Sequence, residues 1–546
     1  MMTKLSNRTT NWLAFFLSFC SLGYELILTK TVVMVGGEQI LLQCLTIGFY
    51  IAGLGLGGYL SYRYKKNLDI NSFVSVETLL SLLGGLLPVI LLLIFVKIRF
   101  LNPEGANMPF YQWQHSGQKY VLLFTIVSQI ITFIIGTLSG FEIPFLLFAS
   151  DESDKSTFRI LGFNYFGALV STLITSYILL TQFELINASI IIALINMLCS
   201  FYLISQFKIK KITVFMSWFI LLILITAYSY QDKVEQHYLY ARYYGLVGFD
   251  QNPQRKVEHY HSIYQDLDLV SYPTSPNSEP IYYLFLNSFF QFSSQSEKEY
   301  HEYIVHVPVQ LFNKIPEKIL VLGGGDGLLM REVLKYKKHI KVLDHIELDP
   351  YIVKLAQTHP VFTKLNKNSL NDNLINIQYN DAFTFLKANK NKYDAIYIDF
   401  PYPTNYDLSK LYSFEFYTYL YKSLTDDGYS VIDHPLTSKN NINGFKYNER
   451  LNNVGTNSLY KAGFKQIIPY FSSGSFSESF ITFRKNINQI NKQTYTLNNL
   501  QLENFTADAF KNLIVMPTEQ PGQNKDYEVN SIFAPKVYKI TDFIVE

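Results

Sequence analysis

ILVLGGGDGLLMREVLKY, residues 319–336, is the stretch that decides the fold. An apolar run of strand character ends in three glycines, an aspartate and a fourth glycine, after which helix-forming residues begin. A strand that turns on glycines into a helix is the opening unit of a doubly wound α/β sheet, which binds its ligand at the carboxyl ends of the strands. Such a turn usually offers backbone amides to a phosphate. Asp326 puts a carboxylate in that place, so the ligand expected here is cationic where it meets the turn.

Working outward, the alternation continues downstream. Strand-like VLDHIEL, helix-like PYIVKLAQ, strand-like NIQYN, helix-like AFTFLKAN and strand-like YDAIYIDF follow in order. An acid stands at each strand end: Asp326, Glu347, Asp381 and Asp399. One such acid reads as a helix cap. Four successive ones read as a binding edge, with Glu347, after the second strand, suited to the hydroxyls of a ribose. No GxxxxGK[ST] sequence occurs, which argues against a P-loop nucleotidase. Upstream, YQDLDLVSY and IYYLFLNSFFQFS alternate as strands of a small β-subdomain.

Before residue 230 the composition changes to Leu, Ile, Phe, Gly and Ser with few charges. Seven runs, near 11–34, 39–61, 72–96, 120–148, 158–182, 186–207 and 211–229, have about the 20 apolar residues that cross roughly 30 Å of hydrocarbon. The first contains Glu25 and Lys30 and lacks a small-residue cleavage site, so it reads as a retained span. Gly48, Gly53, Gly57 and Gly58 are expected to let a second helix approach. Glu25 and Glu142 are acids at membrane depth, expected to face either a partner, with Lys30 and Arg159 as candidates, or an ion or substrate path. Lys4, Arg8, Arg63, Lys65, Lys66, Lys155, Arg159, Lys208, Lys210 and Lys211 fall on one side, and Lys97, Arg99 and Lys119 on the other. That balance favours a cytoplasmic N-terminus, which with seven spans exports the second half. The formal net charge of +2 over 546 residues gives no nucleic-acid footprint. Cys20, Cys44 and Cys199 form neither a disulfide framework nor a metal site, and no metal is expected.

The expected organisation is a multi-span membrane domain of about seven helices (1–230), a connector (231–258), a small β-subdomain (259–316), a Rossmann-like, methyltransferase-type α/β domain (317–490) and a C-terminal extension (491–546).

Six stretches carry a family resemblance: YQDL (264–267), EYHEYIVHVPV (299–309), VLGGGDGLLMREVLKY (321–336), HIELDP (345–350), NDAFTFL (380–386) and YDAIYIDFPYP (393–403). In order and spacing they resemble the spermidine synthase family of aminopropyltransferases over residues 260–485. The first half looks like that of the group in which this domain is fused to a multi-span membrane domain. The resemblance implies transfer of the aminopropyl group of decarboxylated S-adenosylmethionine, a co-substrate rather than a prosthetic group, to an amine, putrescine by family default. By the same resemblance Asp326 meets the donor's ammonium, Gln265 and His301 hold the aminopropyl arm, Glu347 the ribose, and Asp381 with the Ala382 amide the adenine. Asp399 matches the catalytic aspartate and Tyr300 lines the amine pocket. The family's D-x-x-D-P segment departs here, since Tyr402 stands where its second aspartate binds the diamine. Ser296 replaces an aspartate before Glu297, and Phe471 a tyrosine before SSG.

A membrane transporter or sensor with a non-catalytic nucleoside- or polyamine-binding domain is the alternative, favoured by Tyr402, and a conventional methyltransferase is disfavoured by Asp326. The partners expected are the small-molecule amine, the donor and a lipid bilayer, with a homodimer implied by the resemblance. Because donor and polyamines are expected in the cytoplasm, the catalytic half is placed there, against the charge balance.

Overall fold

The structure, a computed structural model, describes residues 4–37, 39–64, 69–101, 110, 113–114, 118–150, 154–247, 256–273, 278–403, 405–434, 437–442, 445–447, 449–472, 478–516 and 528–538. Lys65 and Lys66 of the charge balance, and the last two residues of SSG, lie outside them. The chain forms two compact units, Met1–Val257 and Glu258–Glu546.

In the first unit seven described helices are long and apolar enough to cross a membrane: Asn7–Gly36, Ile40–Arg63, Ile70–Arg99, Lys119–Ala149, Asp154–Gln182, Leu185–Gln206 and Lys211–Arg242. The fourth is broken into Gln118–Ser139 and Glu142–Ala149. Pro144 falls in the first turn of the second piece, where its missing N–H leaves no bond unmade. The last helix runs to Arg242, so the first part of the polar stretch read as a connector is helical. Neither Gly nor Pro interrupts it from Lys211 to Arg242.

Of the four glycines expected to admit a neighbour, two do. A Cβ at Gly53 or Gly57 would overlap the backbone of Phe133 or Thr137, whereas Gly48 has open space and Gly58 scarcely a contact. Glu25 and Glu142 are buried, and so is Glu77, which the sequence reading passed over. Among the described residues, the Glu142 Oε1 and both Glu77 carboxylate oxygens lack hydrogen-bond partners. Among the described residues, no pairing of Glu25 or Glu142 with Lys30 or Arg159 forms.

A four-stranded sheet follows, in the order β1 (Lys256–His261), β2 (Asp266–Tyr272), β3 (Ile281–Leu286), β4 (Phe289–Ser293). A helix, Glu297–Phe312, then leads into the main sheet. Its strands are β5 (Lys318–Gly323), β6 (Val342–Glu347), β7 (Ile375–Tyr379), β8 (Tyr393–Asp399) and β9 (Leu424–Asp433), which are parallel. A two-stranded ribbon, β10 (Thr437–Ile442) and β11 (Phe445–Tyr447), intervenes before antiparallel β12 (Gln466–Phe471), β13 (Ser479–Arg484) and β14 (Ile514–Val515). The order is β14-β12-β13-β9-β8-β5-β6-β7. Ile319, Leu320, Val321 and Leu322 are all buried, as a central parallel strand covered on both faces requires.

The Glu297–Phe312 helix is tied to the segment beyond residue 490. The Glu302 carboxylate accepts three successive backbone N–H groups, from Glu503, Asn504 and Phe505, at 2.9, 2.7 and 2.9 Å. Gln310 donates to Thr494 O at 2.8 Å and accepts from Thr496 N at 2.9 Å. Leu497, Phe505 and Phe510 enter the same apolar core as Ile319 and Val321.

Candidate active site

The floor of the site is one row across the carboxyl edge of the parallel strands. Gly323 pairs with Asp399, and the step after the Leu322–Ile346 pair brings Glu347 to the other side of Gly323. The glycine turn threads between these two carboxylates. Gly323 and Gly324 adopt φ of +77° and +68°, backbone that side-chain-bearing residues rarely take. A Cβ on Gly324 would stand 2.9 Å from Asp399 Oδ2, and one on Gly325 2.9 Å from Glu347 Oε2. Side chains here would fill the space between the acids.

Asp326 closes the turn. Its Oδ1 accepts the Leu328 N–H at 2.9 Å, and burial pushes its carboxyl up to about 6, with Asp399 adding to the rise and His301 opposing it. Glu347 is 9% exposed; burial pushes it up to about 7 although the Asp349 N–H donates to it at 3.0 Å. Burial likewise raises Asp399 against the pull of His301 and Tyr300. Three acids around one turn, short of cations, form a place that a ligand's positive charge would stabilise.

The wall is the Glu297–Phe312 helix. The Tyr300 hydroxyl donates to Asp399 Oδ1 at 2.8 Å. His301 Nδ1 lies 2.6 Å from Glu297 O and 3.1 Å from Glu297 Oε2. Burial would lower His301, but the Glu297 bond and charge outweigh it and the imidazole is raised. Glu297 in turn receives both Arg331 Nη atoms at 2.8 Å each. Arg331 Nε donates to Glu332 Oε1 at 2.8 Å, and Glu332 Oε2 lies 2.9 Å from His306 Nε2. Glu297 is therefore the buried brace of His301.

Gln265 approaches from the small sheet. It donates to Asp349 Oδ2 at 3.0 Å, Ser262 donates to the same oxygen at 2.7 Å, and Asp349 Oδ1 caps the helix beginning at Pro350 through Tyr351 N–H at 2.9 Å. Asp381 caps its own helix through Thr384 N–H at 2.8 Å and meets Lys410 Nζ at 3.3 Å. Burial works against its ionisation, but the Thr384 bond and Lys410 hold its carboxyl below the ordinary range. Ala382, next in line, is buried. Tyr402 is 43% exposed, in the electrostatic neighbourhood of Tyr300.

Asp326, Glu347, Asp399, Tyr300 and His301 thus come together; Gln265 joins them through Asp349, and Asp381 stands at the next strand end. The sequence reading missed Asp349, the Arg331–Glu297 brace, and two further acids, Asp433 and Glu478. Asp349 had a signal, an Asp directly before a Pro that opens a helix. Asp433 had one too: YSVID is an apolar strand ending in an acid, like those before it.

Comparison with known proteins follows the same residues. The family described as "Spermine/spermidine synthase domain" matches residues 297–491. The chain is 30% identical over 429 residues to a polyamine aminopropyltransferase of Leptospira interrogans, covering 77% of this chain and 78% of that one. It is 29% identical over 426 residues to a polyamine aminopropyltransferase of Oceanobacillus iheyensis, covering 76% and 75%. These alignments are longer than the second unit, so the likeness extends into the helical one. A crystal structure of spermidine synthase from Thermotoga maritima is 22% identical, with 48% of this chain and 85% of that one covered at a TM-score of 0.39.

Proposed function

The chain belongs to the polyamine aminopropyltransferase family, and we propose that it transfers the aminopropyl group of decarboxylated S-adenosylmethionine to putrescine, at the row of carboxylates around the glycine turn. The observation that carries this reading is that row itself: Asp326, Glu347 and Asp399 suit a nucleoside bearing a sulfonium and an ammonium, and would repel a phosphate. Asp326 meets the ammonium, Glu347 accepts from the ribose hydroxyls, and Asp381 with the Ala382 amide meets the adenine. Gln265 and His301 position the propyl arm.

The acceptor nitrogen attacks the propyl carbon bonded to sulfur. A new C–N bond forms, the C–S bond breaks, its electron pair stays on sulfur, and methylthioadenosine leaves neutral. The attacking amine gives up a proton, and Asp399, raised by burial and fixed by the Tyr300 hydroxyl, is placed to take it. Holding two cations together in one acidic cleft contributes through proximity and field. The test is methylthioadenosine release by the purified full-length protein supplied with the donor and a panel of amines. Release dependent on putrescine supports the reading; no release with any amine overturns it.

Asp326→Asn should lower the preference for the decarboxylated donor over S-adenosylmethionine by about 30- to 100-fold, as the ratio of their dissociation constants. The ammonium loses its partner, and the carboxylate of S-adenosylmethionine is no longer repelled.

The pH dependence has a definite sign. Asp326 and Glu347 are raised in the free protein, to about 6 and about 7, so the stability they contribute is complete in acid and lost as pH rises through those values. A dicationic donor pairs with the ionised forms. The thermal stabilisation given by the donor, less that given by uncharged methylthioadenosine, should therefore grow between about pH 5 and pH 7.5. A difference flat across that window contradicts the assignment.

The seven apolar helices anchor the chain in the cell membrane as a multi-pass protein, with the catalytic unit on the cytoplasmic side where donor and polyamine are made. A reporter fused at Glu546 and active only outside overturns that placement.

A further inference from the structure

On the side of Asp399 away from the glycine turn the row continues. After the Ile398–Ile432 pair the next step sets Asp433 beside Asp399, and Phe480 of β13 faces Asp433 from the other side. Residues paired across adjacent strands point to one face of a sheet. Accordingly the Tyr300 ring packs 5.2 Å from Phe480 while its hydroxyl, bonded to Asp399, also faces the Asp433 carboxylate. Asp433 is 6% exposed, and its Oδ1 has no hydrogen-bond partner among the described residues.

Glu478 stands just before β13. Its N–H donates to Ser472 Oγ at 2.9 Å, and the Ser472 hydroxyl donates to Glu299. Asp433 and Glu478 repel one another, and among the described residues no lysine or arginine pairs with either. An unpaired carboxylate this deep is costly, so it is held as the neutral acid until a cation arrives.

We propose that Asp433, assisted by Glu478, is the subsite for the second ammonium of the diamine acceptor, whose first nitrogen lies at Asp399. This rests on the aminopropyltransferase reading above. Adjacent strands are ~4.8 Å apart, so a carboxylate one strand from Asp399 meets an ammonium about three or four methylenes from the attacking nitrogen. A monoamine of the same length leaves Asp433 without a cation and is disfavoured for that reason.

The test compares putrescine with butylamine, which has the same carbon chain and one nitrogen, as acceptors for the full-length protein and for Asp433→Asn, Asp433→Glu and Glu478→Gln. The readout is methylthioadenosine release. The wild type should prefer the diamine in kcat/KM by on the order of 100-fold. Asp433→Asn should cut that preference at least about tenfold, through KM, and Asp433→Glu should restore part of it. Glu478, half-buried at the rim, serves where Asp433→Asn fails to fold; Glu478→Gln should cut the preference by a few fold. A preference absent in the wild type, or unchanged in both Asp433→Asn and Glu478→Gln, overturns the subsite. If the wild type releases nothing with any amine, the transferase reading has failed instead. The subsite is then decided by calorimetric titration of putrescine into protein saturated with methylthioadenosine: binding weakened in Asp433→Asn supports it, and equal or absent binding overturns it.

Discussion

Asp399→Asn is expected to reduce methylthioadenosine release by on the order of 10³-fold while donor affinity changes by no more than a few fold. The carboxamide is nearly isosteric, and its oxygen still accepts from the Tyr300 hydroxyl that now lies 2.8 Å from Asp399 Oδ1. What it lacks is the capacity to take a proton. An alkylammonium with a pKa near 10 offers almost no free lone pair at neutral pH, so an amine lined up without a base remains unreactive. Burial holds Asp399 above the usual carboxylate range, which makes it the better acceptor for that proton. Single-turnover measurement with saturating amine separates the chemical step from product release. A loss under tenfold would remove Asp399 from proton transfer and leave it a substrate-orienting role.

Arg331→Ala is expected to destabilise the second unit by about 3 to 5 kcal/mol, the range for a buried ion pair that loses one partner. Arg331 is 6% exposed and Glu297 2%, and the guanidinium meets Glu297 with both terminal nitrogens and Glu332 with Nε. Removing it leaves Glu297 buried beside only His301. The decisive control is Arg331→Met combined with Glu297→Gln, which removes charge from both sides; it should recover more than half of the loss. Denaturant unfolding of the purified protein in detergent, followed through the second unit's tyrosines, measures both. A loss below about 1 kcal/mol would mean that water reaches Glu297 and that the brace is not dry.

The sequence disclosed the α/β order because each strand is an apolar run stopped by glycine or an acid, and such local contrast survives without coordinates. The acids at those stops were legible for the same reason. Asp349, directly before the Pro that opens a helix, and Asp433, at the end of an apolar strand, had comparable local signals. The Arg331–Glu297 brace had none: its members are 34 residues apart, and nothing along one chain says which arginine faces which glutamate. In the helical unit, composition marked the helices, but the rotation of each about its axis was not written there. That is why Gly53 and Gly57 approach a neighbour while Gly48 and Gly58 do not.

The clasp of Glu302 on the backbone of residues 503–505 makes the end of the matched domain a poor place to cut. The match to the synthase domain ends at residue 491, yet the carboxylate that grips the segment beyond it is one residue from His301 and two from Tyr300. A chain ended at 490 would keep every motif and strip the outer support from the helix that presents them. Modular exchange of this catalytic unit between proteins has to carry the tail along, because the matched domain and mechanical independence end at different residues.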